Sequence, residues 1–117
     1  MAKLTTHVLD TTHGRPAAGM TIDLLKHERE GTVVIKTVIT NADGRTDEPL
    51  LEGQEFTTGL YELVFHVGDF FAHMAGDSVR PRFLDQVPIR FGVGVPDVNF
   101  HIPLLCSRWA YSTYRGS

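Results

Sequence analysis

A chain of 117 residues and 13.0 kDa has the size of one domain with one hydrophobic core, which excludes a modular multi-domain enzyme and a long coiled coil. Its 42% apolar and 21% charged residues are ordinary for a globular protein and far from disorder. Eleven Lys and Arg against fourteen Asp and Glu give a net charge of −3; that is no footprint for a phosphate backbone, so nucleic acid is not an expected partner.

Short apolar runs broken by turn signals dominate the chain, with little helical period. Residues 3–10 alternate, Leu4, Thr6 and Val8 pointing one way and Thr5, His7 and Leu9 the other. Gly14-Arg15-Pro16 breaks that run. Residues 20–26 predict a second strand with Met20, Ile22 and Leu24 on one face. The polar turn Glu28-Arg29-Glu30-Gly31 leads into the β-branched run 32–39, and the pair reads as a hairpin. Asn41-Ala42-Asp43-Gly44 is the next turn. Residues 59–67 alternate again, with Tyr61, Leu63, Phe65 and Val67 on one face. A short helix is expected over Phe70–Ala75, with Asp69 as N-cap and Gly76 as its end. Residues 88–93, 99–105 and the aromatic stretch Trp109–Tyr114 read as three more strands. Seven or eight short strands with one small helix predict an all-β sandwich filling residues 1–117 as one domain.

Several chemistries fall away. Gly92-Val93-Gly94 lacks the third glycine of a dinucleotide loop, since Asp97 stands there, and no helix follows. Ile39 and Leu50 occupy the first and closing ligand positions of any calcium loop around Asn41–Gly44, so that motif fails. The single Cys106 excludes an internal disulfide and reads as a small buried hydrophobe. No run approaches a membrane span, and the first seven residues lack the apolar region of a signal peptide. A cytoplasmic chain without membrane partners is expected.

Six His in so short a chain invite a proton-transfer or metal reading. No His-x-His occurs, and His66 and His73 fall across a strand-to-helix boundary, so scattered surface His is favoured over a metal site. His7 and His101 differ, for each lies on a predicted strand opposite the apolar stripe. Pattern alone leaves two readings: polar residues on a solvated sheet face, or a site on an outer face that a second subunit covers. Arg45, just after a turn glycine, reads by pattern as a loop cation. The closing Ser112-Thr113-Tyr114-Arg115-Gly116-Ser117 reads by pattern as a frayed polar tip, yet Tyr111 and Tyr114 are unusual in a frayed tail.

These segments carry a resemblance. Leu4-Thr5-Thr6-His7-Val8-Leu9-Asp10-Thr11 followed by Gly14-Arg15-Pro16-Ala17 resembles the opening of the 5-hydroxyisourate hydrolases, the transthyretin-like enzymes of urate breakdown. Asp43-Gly44-Arg45 is similar to that family's arginine turn. His101-Ile102-Pro103-Leu104-Leu105, with the ending Tyr114-Arg115-Gly116-Ser117, is similar to its C-terminal signature. Arg108 departs from the proline common at that position. The resemblance implies a transthyretin-like two-sheet β-sandwich assembled as a homotetramer, with sites where outer sheet faces of different subunits meet. It implies His7, Arg45 and His101 as catalytic residues, and Tyr114, Arg115, Gly116 and Ser117 as substrate-binding ones. Neither metal nor cofactor is implied. The substrate would be 5-hydroxyisourate, opened by water to 2-oxo-4-hydroxy-4-carboxy-5-ureidoimidazoline. The Ser117 hydroxyl and the terminal carboxylate would bind substrate or hold a His tautomer. The competing class is a transthyretin-like carrier of thyroid-hormone type, because fold alone does not choose a function. A structural or adhesion sandwich would be monomeric and have no use for the His residues.

Overall fold

The period-two alternation of the sequence emerges as two packed sheets in the computed structural model, which describes residues 2–76, 79–95 and 97–116. One sheet contains β1 (Lys3–Asp10), β2 (Arg15–Pro16), β5 (Leu51–Glu52), β8 (Phe100–Cys106) and β9 (Tyr111–Thr113). It runs in the order β2-β1-β8-β9, with β5 pairing the first residues of β1. The other contains β3 (Thr21–Glu28), β4 (Gly31–Ile39), β6 (Gly59–Phe65) and β7 (Val87–Val93), in the order β4-β3-β6-β7. The ladder between β1 and β8 is parallel and the other strand pairings are antiparallel.

Inward-facing positions alternate as the pleat demands. Leu4, Val8, Ile22, Leu24, Leu63 and Leu104 are completely buried between the sheets. A Leu on this stripe replaced by Ala would cost about 2–5 kcal/mol through lost burial and the cavity left behind. Thr6 is the polar member of the stripe on β1, and its hydroxyl donates to the Ile102 carbonyl across the ladder at 2.7 Å, so its burial leaves no group unsatisfied.

The expected sandwich of strands with one helix is present, with local differences. Two strands of two residues each, β2 and β5, are too short for any alternation to show. Gly14 does turn the chain at φ +66°, but Arg15 and Pro16 return at once to pair with Asp10 and Leu9. The helix α1 (Val67–Ala75) begins earlier than capping residues suggest: His66 stands at the N-cap and Asp69 lies inside the first turn. Val67 is the cause, since its fully buried side chain carries the stripe of β6 directly into the helix. Gly76 ends α1 in the left-handed conformation, as expected.

Candidate active site

The parallel ladder sets the spacing of the two His residues. His101 lies opposite Thr5 and His7 opposite Pro103, so His7 and His101 are diagonal neighbours on adjacent strands. Their Cβ atoms are then on the order of 7 Å apart. Leu4, Val8, Phe100, Ile102 and Leu104 take the inner face. Thr5, His7 and Leu9 on β1, with His101 and Leu105 on β8, occupy the outer one and are half-buried in the single chain.

Arg45 reaches this face through a tightly specified turn after β4. The Asn41 side-chain oxygen accepts from the backbone N–H of Asp43 at 2.9 Å and of Arg45 at 3.1 Å. The Asn41 N–H donates to the Arg45 carbonyl at 2.7 Å. Gly44 has φ +75°, and its carbonyl accepts from the Val8 N–H at 2.8 Å, docking the turn on β1. A Cβ at Gly44 would run into the Val8 carbonyl oxygen, so glycine is required on both counts.

The same turn fixes His7. The Asp43 carbonyl can only accept, so His7 Nε2–H donates to it, at 2.9 Å. A neutral His7 therefore carries its lone pair on Nδ1. Arg45 itself is exposed, and among the described residues its guanidinium has no hydrogen bond or ion pair. It borders a recess of about 240 Å³ with Lys3, Thr5, Thr6, Thr46, Pro49 and the acidic residues Asp47 and Glu48.

His101 feels this neighbourhood. Burial holds its pKa below the ordinary 6.5, and the nearby charges of Arg45 and then His7 lower it further. Its Nδ1 shares a hydrogen bond with the Thr5 hydroxyl at 2.9 Å. An imidazole that stays neutral at neutral pH, beside an exposed guanidinium, can accept a proton from water while the cation stabilises growing negative charge.

The tail completes the surroundings unevenly. The Gly116 N–H donates to the His101 carbonyl at 2.7 Å, forming an isolated bridge. A Cβ at Gly116 would lie 2.6 Å from His101 Cδ2, so the backbone rests directly on the ring. Gly116 is needed for this close approach and not for turning, because its φ is not positive. The Arg115 guanidinium stacks over Phe100, 4.1 Å from the ring centre, and donates to the Asn99 carbonyl at 3.4 Å. Among the described residues its guanidinium makes no hydrogen bond to His7, Arg45 or His101. Tyr114 is 61% exposed. Ser117 lies outside the described residues.

Sequence reasoning missed Thr5 and Asn41 as members of the site. Thr5 was detectable in principle, since it lies two residues before His7 on the same face. Asn41 carried no signal beyond its turn propensity. Cys106 is fully buried, and burial, with Asp10 nearby, pushes its thiol up to about 12, so it is inert. His66 and His73 do share a recess with Asp69, but His66 Nε2 pairs with Asp23 at 2.8 Å. No three His, Cys, Asp or Glu among the described residues are grouped to hold a metal ion.

The sequence matches the HIUase/Transthyretin family over residues 4–116. The chain belongs to that family. It is 55% identical to 5-hydroxyisourate hydrolase 2 of Rhizobium meliloti (strain 1021), across 98% of this chain and 96% of that protein. Among solved structures, the 5-hydroxyisourate hydrolase of Klebsiella pneumoniae superposes with a TM-score of 0.82 at 32% identity, covering both chains completely. An (S)-allantoin synthase gives 0.91 at 44% identity over 99% of this chain, which spans only 44% of that longer protein. Within the HIUase/transthyretin family the chain is therefore a hydrolase, and its fold is the transthyretin-like sandwich.

Proposed function

We propose that this protein hydrolyses 5-hydroxyisourate to 2-oxo-4-hydroxy-4-carboxy-5-ureidoimidazoline, a step of urate breakdown, at a site built from His7, Arg45 and His101. The observation that carries this reading is their convergence. A neutral-favoured imidazole, a second imidazole of fixed tautomer and an exposed guanidinium, from three separate elements, meet on one sheet face. Water is a poor nucleophile near neutral pH, and a positioned imidazole base helps most when its pKa lies near the working pH; the lowered pKa of His101 keeps its ring in the accepting form there. The water oxygen bonds to the ring carbonyl carbon and its proton passes to an imidazole. The C–N bond of the cyclic amide then breaks, and the proton is returned to the leaving nitrogen. Charge growing on the attacked oxygen is met by Arg45.

This outer face is open in one chain, so water exclusion requires a cover. The reading includes a homotetramer in which another copy supplies that cover and Tyr114, Arg115 and Ser117 help hold the anionic substrate. A cytoplasmic location goes with it; among the described residues no helix is long and apolar enough to cross a membrane. The test is direct. Freshly generated 5-hydroxyisourate is mixed with the protein, and its ultraviolet absorbance decay is compared with buffer and with His7→Ala. Decay no faster than in buffer would sink the proposal, and thyroxine binding without turnover would favour a carrier instead.

A further inference from the structure

Two contacts hold the His101 ring from opposite edges. The Thr5 hydroxyl meets Nδ1 at 2.9 Å, and the Gly116 backbone packs against Cδ2 so closely that no side chain fits there. The two ring atoms flank Cγ, so Nε2 is left at the outer end of the imidazole. Among the described residues Nε2 has no hydrogen-bond partner. Thr5 is itself held. It sits in the parallel ladder opposite His101, on a strand whose next residue, Thr6, is tied across to Ile102.

We infer that Thr5 is a positioning residue for His101: its hydroxyl accepts from Nδ1–H and so fixes the tautomer in which Nε2 bears the lone pair that takes the proton from water. Gly116 is the second jaw of this clamp and blocks rotation of the ring. The inference rests on the hydrolase reading above, in which the base needs Nε2 bare. A hydroxyl can donate as well as accept, and a donating Thr5 would leave the proton on Nε2, the wrong nitrogen for a base. The clamp also gives glycine at 116 a function that a flexible tail would not need. It differs from nucleophilic catalysis, in which the Thr5 oxygen would itself bond to the substrate carbonyl.

The experiment uses the intact protein labelled with ¹⁵N at its His residues, with His101→Gln identifying the resonances. Wild type should show His101 as a single neutral tautomer with its proton on Nδ1. Thr5→Val, similar in shape but without the hydroxyl, should show exchange between the two tautomers. It should lower kcat by roughly tenfold or more with KM changed little, while Thr5→Ser restores both signatures. A wild-type proton on Nε2 overturns the clamp even if no variant folds. A folded Thr5→Val with unchanged kcat or an unchanged tautomer also overturns it, as does a substrate-derived adduct on Thr5 detected by mass spectrometry. Absence of hydrolysis in wild type would instead strike the hydrolase reading, and the tautomer measurement stands apart from that result.

Discussion

The His residues divide by what they touch. His13, His27 and His66 each meet a carboxylate, on Asp10 at 2.6 Å, Glu62 at 2.9 Å and Asp23 at 2.8 Å. His7 and His101 meet a backbone carbonyl and a hydroxyl, neutral groups that orient a ring through a hydrogen bond. The lowered pKa of His101 then fixes a sign. A rate that needs neutral His101 should stay level through neutrality and fall only as pH drops below the ordinary 6.5. Protonation also opposes folding. Stability due to this group is fully present above the unfolded-state pKa, declines as pH falls toward the folded-state pKa, and then levels. Arg45→Gln should move the His101 midpoint upward in an NMR titration, short of the ordinary value because burial remains; an unmoved midpoint would remove Arg45 from the account. Cys106 gives a second residue-scale test. With its thiol pushed up to about 12, it should resist a maleimide at pH 8 in the native protein and react once the chain is unfolded.

At the scale of elements, the Asn41–Arg45 turn connects two catalytic candidates through one backbone. It presents the Asp43 carbonyl to His7 and carries Arg45, while Gly44 anchors it to β1. Gly44→Ala combines a left-handed backbone with a clash against Val8, and should cost roughly 1–3 kcal/mol. The expected result is a melting temperature lower by several degrees together with reduced turnover; an unchanged melt and rate would show that the turn does not need glycine. The strands that frame this turn were legible in the sequence because alternation survives wherever one face is buried, as along Leu4–Asp10 and Gly59–Phe65. Arg15–Pro16 and Leu51–Glu52 were not legible, since two residues have no period. The start of α1 was missed because Val67 belongs to the core of β6 and the helix at once. Within the site, pattern placed His7 and His101 on an outer face but left their purpose undecided. The resemblance supplied Arg45 and the tail. Neither source gave Thr5 its contact, which depends on the register of two strands far apart in sequence.

At the scale of the whole molecule, the outer face that bears His7 and His101 continues into Leu9 and Leu105, opposite each other across β1 and β8. Two aliphatic side chains beside a polar site are suited to contact with another copy. Leu105→Glu should therefore reduce the mass measured by light scattering and the turnover per chain together, with the far-ultraviolet spectrum kept; full activity in a monomeric variant would end the shared-site reading. The parallel ladder has a consequence in time as well as in space. Thr5 and His101 are 96 residues apart, and no hairpin brings their strands together. Closure of so long a loop is entropically costly and slow compared with local contacts. During synthesis β1 emerges with one outer face already bearing His7, and waits for almost the entire chain before its neighbour His101 arrives. The β3–β4 hairpin can form long before that. A nascent or truncated chain ending before β8 would hold strands and much of a core, yet not the His7–His101 pair. Catalytic competence would thus be among the last properties acquired in folding, and its onset would report that β1 and β8 had joined.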